Sequence, residues 1–188
     1  MKIVLIRHGK PAINSSVRVS AAGFGEWIST YDLAGIDVAH RPSIEALAVA
    51  KTTAFTVCSH LPRSVESAYA LKIETPDVIC NTFRECEMPY QRWSYPKLPM
   101  MAWATIFRLS QLVGCSSNAE SLREIKARSQ ACAAQLVAYA EEHGSVMFVG
   151  HGALNWFIHQ QLKQMGWGGP RKAARNYWGF GLYSLDGV

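Results

Sequence analysis

Two histidines in the sequence each follow a short apolar run and precede a glycine, in Arg7-His8-Gly9 and Gly150-His151-Gly152. Each run predicts a buried strand, and ligands of open parallel α/β sheets bind at the carboxyl ends of the strands. A third apolar run leads to Arg63. Two imidazoles and two guanidiniums around one point suit a phosphate dianion, because a guanidinium can bind phosphate bidentately.

Five segments of the chain together resemble the motifs of one known family. Ile6-Arg7-His8-Gly9 is similar to the signature of the histidine phosphatase (phosphoglycerate mutase-like) superfamily. Four later segments match further motifs of that family in the correct order, namely Cys58-Ser59-His60-Leu61-Pro62-Arg63-Ser64, Phe83-Arg84-Glu85, Glu120-Ser121 and Val149-Gly150-His151-Gly152. Asn14 lies at the spacing after His8 where the family commonly has a phosphate-contacting asparagine.

The resemblance implies a role for each matching residue. His8 would attack phosphorus and become a phosphohistidine, while Arg7, Arg63 and His151 would hold the transferring oxygens. Glu85 would donate a proton to the leaving oxygen, as alkoxide departure requires.

Three further assignments concern the same site. Glu87 stays open as an alternative acid, because residues two apart on an extended segment share a face. Asn14 is expected to contact the phosphate. The helix predicted to begin after Gly152 is expected to offer free backbone N–H groups to it, and Gly152 itself is expected to contact the phosphate.

The implied activity is metal-independent hydrolysis of a small phosphorylated metabolite, with no cofactor and no bound metal. Three alternatives stay open: a phosphoglycerate-type mutase, a protein phosphohistidine phosphatase, and a phosphate-binding module without catalysis. Glu85 argues against the second, since short enzymes of that type typically lack the acid. The presence of all four core residues, Arg7, His8, Arg63 and His151, argues against the third.

The segment 88–103 is the least family-like part of the chain. Its three prolines disfavour a regular helix or an inner strand over most of its length. Its aromatic residues are too apolar to be left wholly in contact with water. Trp93 and Tyr95 are therefore predicted either to pack on the core or a partner subunit, or to contact the non-phosphate half of the substrate. The remaining histidines match no family position and are predicted to lie at the surface or at helix ends: His40, His60, His143 and His159.

Hydrophobic patterns predict the elements that position these residues. Strands are expected at 2–6, 54–58, 77–83, 145–149 and 177–185, and the clearest helices at 62–71 and 119–142. Ser121 and Glu124 form a potential capping box at the start of the second helix. Alternating strands and helices predict an α/β fold with a mostly parallel central sheet and helices on both faces.

Composition bounds the remaining expectations. A chain of 188 residues, half of them apolar, is long enough for one domain over 1–188 with its own core. Five scattered cysteines without C-x-x-C spacing suggest neither disulfides nor zinc, which favours a reducing cytoplasm. The net charge of +5 is spread along the chain without a recognition motif, so no nucleic acid is expected as a partner. No apolar run is long enough for a membrane span.

Overall fold

A computed structural model describes residues 1–116 and 118–185 and shows an α/β fold built on a mostly parallel sheet. The strands are β1 (Lys2–Arg7), β2 (Arg18–Val19), β3 (Phe55–Cys58), β4 (Val78–Ile79), β5 (Leu98–Pro99), β6 (Ser145–Gly150) and β7 (Phe180–Ser184). The central sheet has the order β4-β3-β6-β1-β7, and only the edge strand β7 runs antiparallel to its neighbour among these described strands. This confirms the predicted fold class.

The register of the sheet brings the chemistry-bearing residues to one edge. Arg7 lies opposite Gly150 in the parallel pair β1/β6, and Cys58 lies opposite Val149 in the pair β3/β6. The residues that follow these three strand ends are therefore neighbours in space. The convergence that the sequence predicted at the carboxyl ends of the strands is confirmed.

Helices cover both faces of this sheet. The described helices are α1 (Ala21–Leu33), α2 (Ile44–Lys51), α3 (Pro62–Ala70), α4 (Met100–Leu112), α5 (Leu122–His143) and α6 (Gly152–Gln164). Of these, α2, α3, α5 and α6 contribute buried residues to the two cores on the sheet. Ile3 and Leu5 of β1 pack in a core with α5 and α6, whereas Val4 and Ile6 pack in a core with α2 and α3. The alternation follows from the strand itself, because successive side chains point to opposite faces.

A third apolar cluster lies apart from the two sheet cores. It joins α1 to α4 through the buried side chains of Phe24, Met100, Trp103 and Phe107. The short antiparallel strands β2 and β5 immediately precede α1 and α4 in the chain. The indole of Trp103 donates to the carbonyl of Val19 in β2 at 2.8 Å. This cluster forms one wall of the candidate site described below.

The structure differs from the sequence predictions at element ends. The predicted strand 77–83 is confined to Val78–Ile79, and Asn81–Phe83 form a single 3-10 turn that drives Phe83 into the core. The last strand, predicted to start at 177, starts at Phe180, because Trp178 has a positive φ of 62°, which is incompatible with extended backbone. The proline-rich segment contains no regular helix over 88–99, as predicted, but α4 begins at Met100, directly after the third proline.

Helix α5 begins later than predicted for an identifiable reason. Ser121 is its N-cap: the hydroxyl accepts from the Glu124 N–H, and the Glu124 carboxylate accepts from the Ser121 N–H at 2.8 Å. The capping box is therefore confirmed, and it fixes the first helical residue as Leu122. Across the described residues, every helix is too short or too polar to cross a membrane.

Candidate active site

His8 is buried directly after β1 and is held in one orientation. Only 1% of the residue is exposed, and Nδ1 lies 2.7 Å from the carbonyl oxygen of Gly9. A carbonyl can only accept, so Nδ1 carries the hydrogen and Nε2 keeps its lone pair. Burial, the neighbouring imidazole of His151 and the charges of Arg63 and Arg7 lower the pKa of His8 well below its usual value, and they outweigh the hydrogen bond to Gly9, which raises it. The ring is therefore neutral at neutral pH, with a nucleophilic nitrogen opposite the anchored one.

His151 stands beside it at the end of β6. The two imidazole centroids are 5.2 Å apart, and His151 is fully buried. Burial and the charges of Arg63 and Arg7 hold its pKa well below the usual range. Ser59, at the end of β3, accepts from the Leu61 N–H and places its Oγ 2.6 Å from Nε2 of His151. The hydroxyl is thus free to donate to Nε2, which leaves the hydrogen of the neutral ring on Nδ1.

Two guanidiniums face the same region, each over an aromatic ring. Arg63 is fully buried, lies 4.3 Å above the ring of Tyr31, and donates to the Tyr31 carbonyl and the Asp32 carboxylate at 2.8 and 3.0 Å. Arg7 lies 4.2 Å above the ring of Tyr177 and donates to the carbonyl of Arg175. Their outer nitrogens are thereby anchored, which fixes the planes of both guanidiniums.

Three buried nitrogens in this group have no hydrogen-bond partner among the described residues. They are Nε of Arg7, Nε of Arg63 and Nδ1 of His151. Buried polar groups in folded proteins are almost always paired, so these donors require an explanation. The charges of Arg7 and Arg63 act on both His8 and His151, so the group favours an anion electrostatically, and a bound anion would supply partners for such donors.

Glu85 joins this site to the N-terminus of α6. Its Oε1 accepts from the backbone N–H groups of Cys86 and Leu154 at 2.9 and 3.1 Å, and Oε2 accepts from Ala153 at 3.4 Å. His151 is the N-cap of the same helix. The expected free N–H groups of this helix are therefore used in part by Glu85 itself, which corrects the expectation that they are open to an anion. Gly152 packs closely against Arg7, where a Cβ would lie 3.3 Å from the Arg7 Nε.

Glu87 has different surroundings. One carboxylate oxygen accepts from the N–H of Glu120 at 3.0 Å and the other lies 3.4 Å from Arg84. Hydrogen bonds to Arg84, Glu120 and solvent suit a structural residue at the mouth of the site. The α6 contacts distinguish Glu85 from Glu87 and favour Glu85 as the acid.

Two partly buried arginines hold the backbone on both sides of Glu85. Arg128 donates to the carbonyls of Thr82 and Arg84 at 2.9 Å each, and Arg108 donates to the carbonyl of Cys86 at 2.6 Å. Glu120 pairs with Arg128 at 2.6 Å. Although burial alone would raise the pKa of Glu120, the hydrogen bond and charge of Arg128 and the charge of Arg84 lower it overall. Glu120, from the matched segment Glu120-Ser121, thus anchors this ion-pair cluster.

A cavity of about 450 Å³ opens in front of these residues. Arg7, Arg63 and Glu85 line one end of it, together with His60 and Tyr177. The α1/α4 apolar cluster lines the other end. His8 and His151 are buried next to the cationic end, so that end is where an anion would meet them.

Sequence and structure comparisons place the chain in a family. The description "Histidine phosphatase superfamily (branch 1)" belongs to a family model that matches residues 3–179. The chain belongs to this superfamily. The search of curated proteins finds no match.

Several solved structures share the superfamily fold. The Bacillus stearothermophilus protein YhfR is 15% identical with a TM-score of 0.64, and the alignment covers 99% of this chain and 92% of that one. A mycobacterial glucosyl-3-phosphoglycerate phosphatase is 22% identical, with a TM-score of 0.56 and coverage of 87% and 79%. A phosphoserine phosphatase from Entamoeba histolytica is 17% identical, with a TM-score of 0.55 and coverage of 87% and 80%. At these identities the likeness shows the fold.

Three other residues selected from the sequence do not line the cavity. Asn14 is exposed, and its Oδ1 accepts from the Ser16 N–H at 2.9 Å, so its side chain closes a local turn. Trp93 and Tyr95 are 54% and 81% exposed and lie outside the lining of the cavity. The structure thus brings together Arg7, His8, Arg63, Glu85 and His151, and leaves the other three aside.

Two other histidines differ from their prediction or add to it. His60 is exposed as predicted, but it also lines the cavity. His159 was predicted to be a surface residue and is buried, with Nδ1 2.8 Å from the hydroxyl of Tyr183.

Sequence reasoning missed Ser59, Tyr31 and Tyr177 as parts of the site. Ser59 had a usable signal, because it directly follows the strand that ends at Cys58 and lies in the motif that contains Arg63. Tyr31 and Tyr177 come from the end of α1 and the turn before β7, and no local pattern marks either. Among the described residues, no group of three or more His, Cys, Asp or Glu side chains could hold a metal ion.

Proposed function

We propose that this protein is a phosphatase that hydrolyses a phosphomonoester through a phosphohistidine on His8. One observation carries the proposal: a buried neutral imidazole, oriented by the Gly9 carbonyl, lies in a group with three buried donors, on Arg7, Arg63 and His151, that have no partner within residues 1–116 and 118–185. Phosphoryl transfer depends on positioning and on stabilising charge on three equatorial oxygens. A phosphate bound by those donors would be held in position and would have the charge on its oxygens stabilised.

In the first step, Nε2 of His8 attacks phosphorus in line with the leaving oxygen. The N–P bond forms as the P–O bond to the alcohol breaks, and the electron pair of that bond goes to the leaving oxygen. Glu85, which must bear its proton at this stage, gives it to that oxygen and becomes a carboxylate. The amides of Ala153 and Leu154 then donate to the carboxylate that forms.

In the second step, water replaces the alcohol. Glu85 removes a proton from the water, the oxygen attacks phosphorus, and the N–P bond breaks with its electrons returning to Nε2. Inorganic phosphate leaves, His8 is neutral again and Glu85 is protonated again. Ser59 keeps His151 in the tautomer that donates to the phosphoryl oxygen from Nδ1.

The positive charge of the site comes from this chain's own residues. Arg7 and Arg63 carry fixed positive charges that act on both His8 and His151, so the proposal includes no metal and no cofactor. The fold relatives that bear enzyme names include a glucosyl-3-phosphoglycerate phosphatase and a phosphoserine phosphatase, which supports hydrolysis as the reaction class. The substrate is expected to be a small phosphorylated molecule.

The test is a screen of purified protein against a panel of phosphorylated metabolites with a chelator present, measuring released inorganic phosphate. We expect release by the wild type, and loss by a factor above about 10,000 in His8→Ala, because that change removes the covalent route itself. His143→Ala is the matched control, since His143 stacks on Phe55 at the opposite end of β3. Phosphoryl transfer between substrates without phosphate release would identify a mutase instead, and binding without turnover would identify a non-catalytic module.

A further inference from the structure

The end of the cavity away from the arginines is built from apolar side chains. Helix α1 contributes Phe24, Trp27, Ile28 and Tyr31, whose spacing of three and four residues places them on one face of the helix. Met88 and the first residues of α4 face them across the cavity. Apart from Tyr31, which holds Arg63, these residues take no part in the proposed phosphoryl transfer, so their chemistry bears on the part of the substrate that is not phosphate.

The aromatic rings on α1 form a continuous series that starts at the cationic end. Tyr31 lies 4.3 Å beneath the guanidinium of Arg63, and Trp27 stacks on Tyr31 with centroids 4.9 Å apart. Phe24 continues the series at 6.0 Å from Trp27 with the rings within 14° of parallel. A group attached to a phosphate held at Arg63 would therefore extend along a row of aromatic side chains.

Polar groups in the same wall already have partners within the protein. Arg108 donates to the carbonyls of Cys86 and Glu87 at 2.6 and 2.9 Å. Asn118 both donates to and accepts from the backbone of Tyr90, at 2.9 and 3.2 Å. A ligand rich in hydroxyl groups would lose hydrogen bonds to water there without regaining them from these side chains, which is costly.

The size of the cavity agrees with a substrate larger than a small phosphate ester. At about 450 Å³ it falls in the range of about 300 to 1,000 Å³ typical of sites for small organic molecules. We infer that the alcohol half of the substrate is aromatic, or comparably flat and apolar, and packs on Trp27. Phe24, Trp27, Ile28 and Tyr31 together form the α1 wall of the cavity. The inference rests on the proposed function for the binding of the phosphate group. The α1 wall determines which alcohol group can bind at the apolar end of the cavity.

The turnover test compares alkyl phosphates of matched leaving-group chemistry, namely 2-(naphthyl)ethyl phosphate, ethyl phosphate and glycerol 3-phosphate. We expect kcat/KM for the naphthyl ester to exceed the other two by about 10-fold or more, because stacking and burial of the ring add binding that the short esters lack. Equal values, or preference for the glycerol ester, would overturn the inference and leave the phosphatase proposal intact.

Variants assign the preference to the α1 wall. Trp27→Ala should lower kcat/KM for the naphthyl ester by about 10-fold and change that for ethyl phosphate less than about 2-fold. Trp156→Ala, a half-exposed tryptophan on α6, is the matched control and should change neither. Trp93→Ala tests the alternative taken from the sequence; a selective loss in that variant would contradict the assignment to α1. If Trp27→Ala does not fold, Met101→Ala is measured in its place with the same expected selectivity, because Met101 lines the cavity and is 74% exposed.

A binding test separates the two proposals. Naphthylmethyl phosphonate and methyl phosphonate are titrated into the wild type by calorimetry, and we expect the naphthyl compound to bind about 10-fold more tightly in a Trp27-dependent manner. If no phosphate ester is hydrolysed but this difference is seen, the phosphatase proposal fails and the ligand class stands. If esters are hydrolysed and the two phosphonates bind equally, the ligand class fails and the phosphatase proposal stands.

Discussion

Replacement of Glu85 by glutamine tests the acid directly, because the change keeps the shape of the side chain and removes the transferable proton. Oε1 accepts from the two closer amides, those of Cys86 and Leu154, so the glutamine oxygen takes that position. Its NH2 group then faces the Ala153 N–H, which lies 3.4 Å from Oε2 in the native protein. Only this longest bond is lost, so we expect the free energy of unfolding to fall by about 1 kcal/mol.

The kinetic effect depends on the leaving group. An alkoxide needs the proton, so Glu85→Gln should lower kcat on an alkyl phosphate by about 100-fold to 10,000-fold. A p-nitrophenolate leaves without a proton, so formation of the phosphohistidine from p-nitrophenyl phosphate should change only a few-fold. The burst of p-nitrophenol before hydrolysis of the intermediate reports that step separately.

Glu87→Gln is the matched control, since Glu87 lines the same cavity but contacts Arg84 and the Glu120 N–H instead of α6. It should leave both substrates within a few-fold of the wild type. Equal losses on alkyl phosphate turnover and on the p-nitrophenol burst in Glu85→Gln would refute the reasoning. A selective loss in Glu87→Gln would transfer the acid's role to Glu87.

Three further predictions address the rest of the site. Ser59→Ala should lower kcat by about 10-fold and the free energy of unfolding by about 1 to 3 kcal/mol, because it leaves Nε2 of the buried His151 unpaired; Ser16→Ala, at the surface, should do neither. Stability to urea should be greatest above about pH 6.5 and fall below it by up to about 1.4 kcal/mol per pH unit for each of His8 and His151. Their pKa values are lowered in the folded state, so the unfolded chain binds protons first as the pH falls; a flat profile down to pH 5.5 would contradict this. Chelator should leave phosphatase activity unchanged, and activity lost with chelator and restored by magnesium would refute metal independence.

Much of the fold and the centre of the site could be predicted because their signals are local in sequence. Continuous apolar runs marked β1, β3 and β6, and the residues after them had to meet at one edge of a parallel sheet. The capping box at Ser121 was equally local, although the helix it begins was placed three residues too early. The strand predicted over 77–83 was too long, because the apolar Phe83 was read as a strand residue. Phe83 does lie in the core, but a 3-10 turn and not a strand places it there.

The substrate end of the site could not be predicted because it is assembled from distant segments. Tyr31 of α1 meets Arg63 of α3 only through tertiary packing, and the pairing depends on side-chain contacts that no short pattern encodes. Trp93 and Tyr95 were selected for aromatic content next to the acid, but a short distance in sequence does not fix side-chain direction. They project into solvent, whereas Trp27, far away in sequence, lines the cavity.

The central claim is that His8 carries the phosphoryl group, and rapid-quench trapping with a 32P-labelled ester tests it most directly. The wild type should yield an acid-labile, base-stable label that maps to His8, appears before free phosphate, and decays at the rate of turnover. His8→Ala should yield none. Turnover by the wild type with no label at any time, or a label on another residue, would contradict the account.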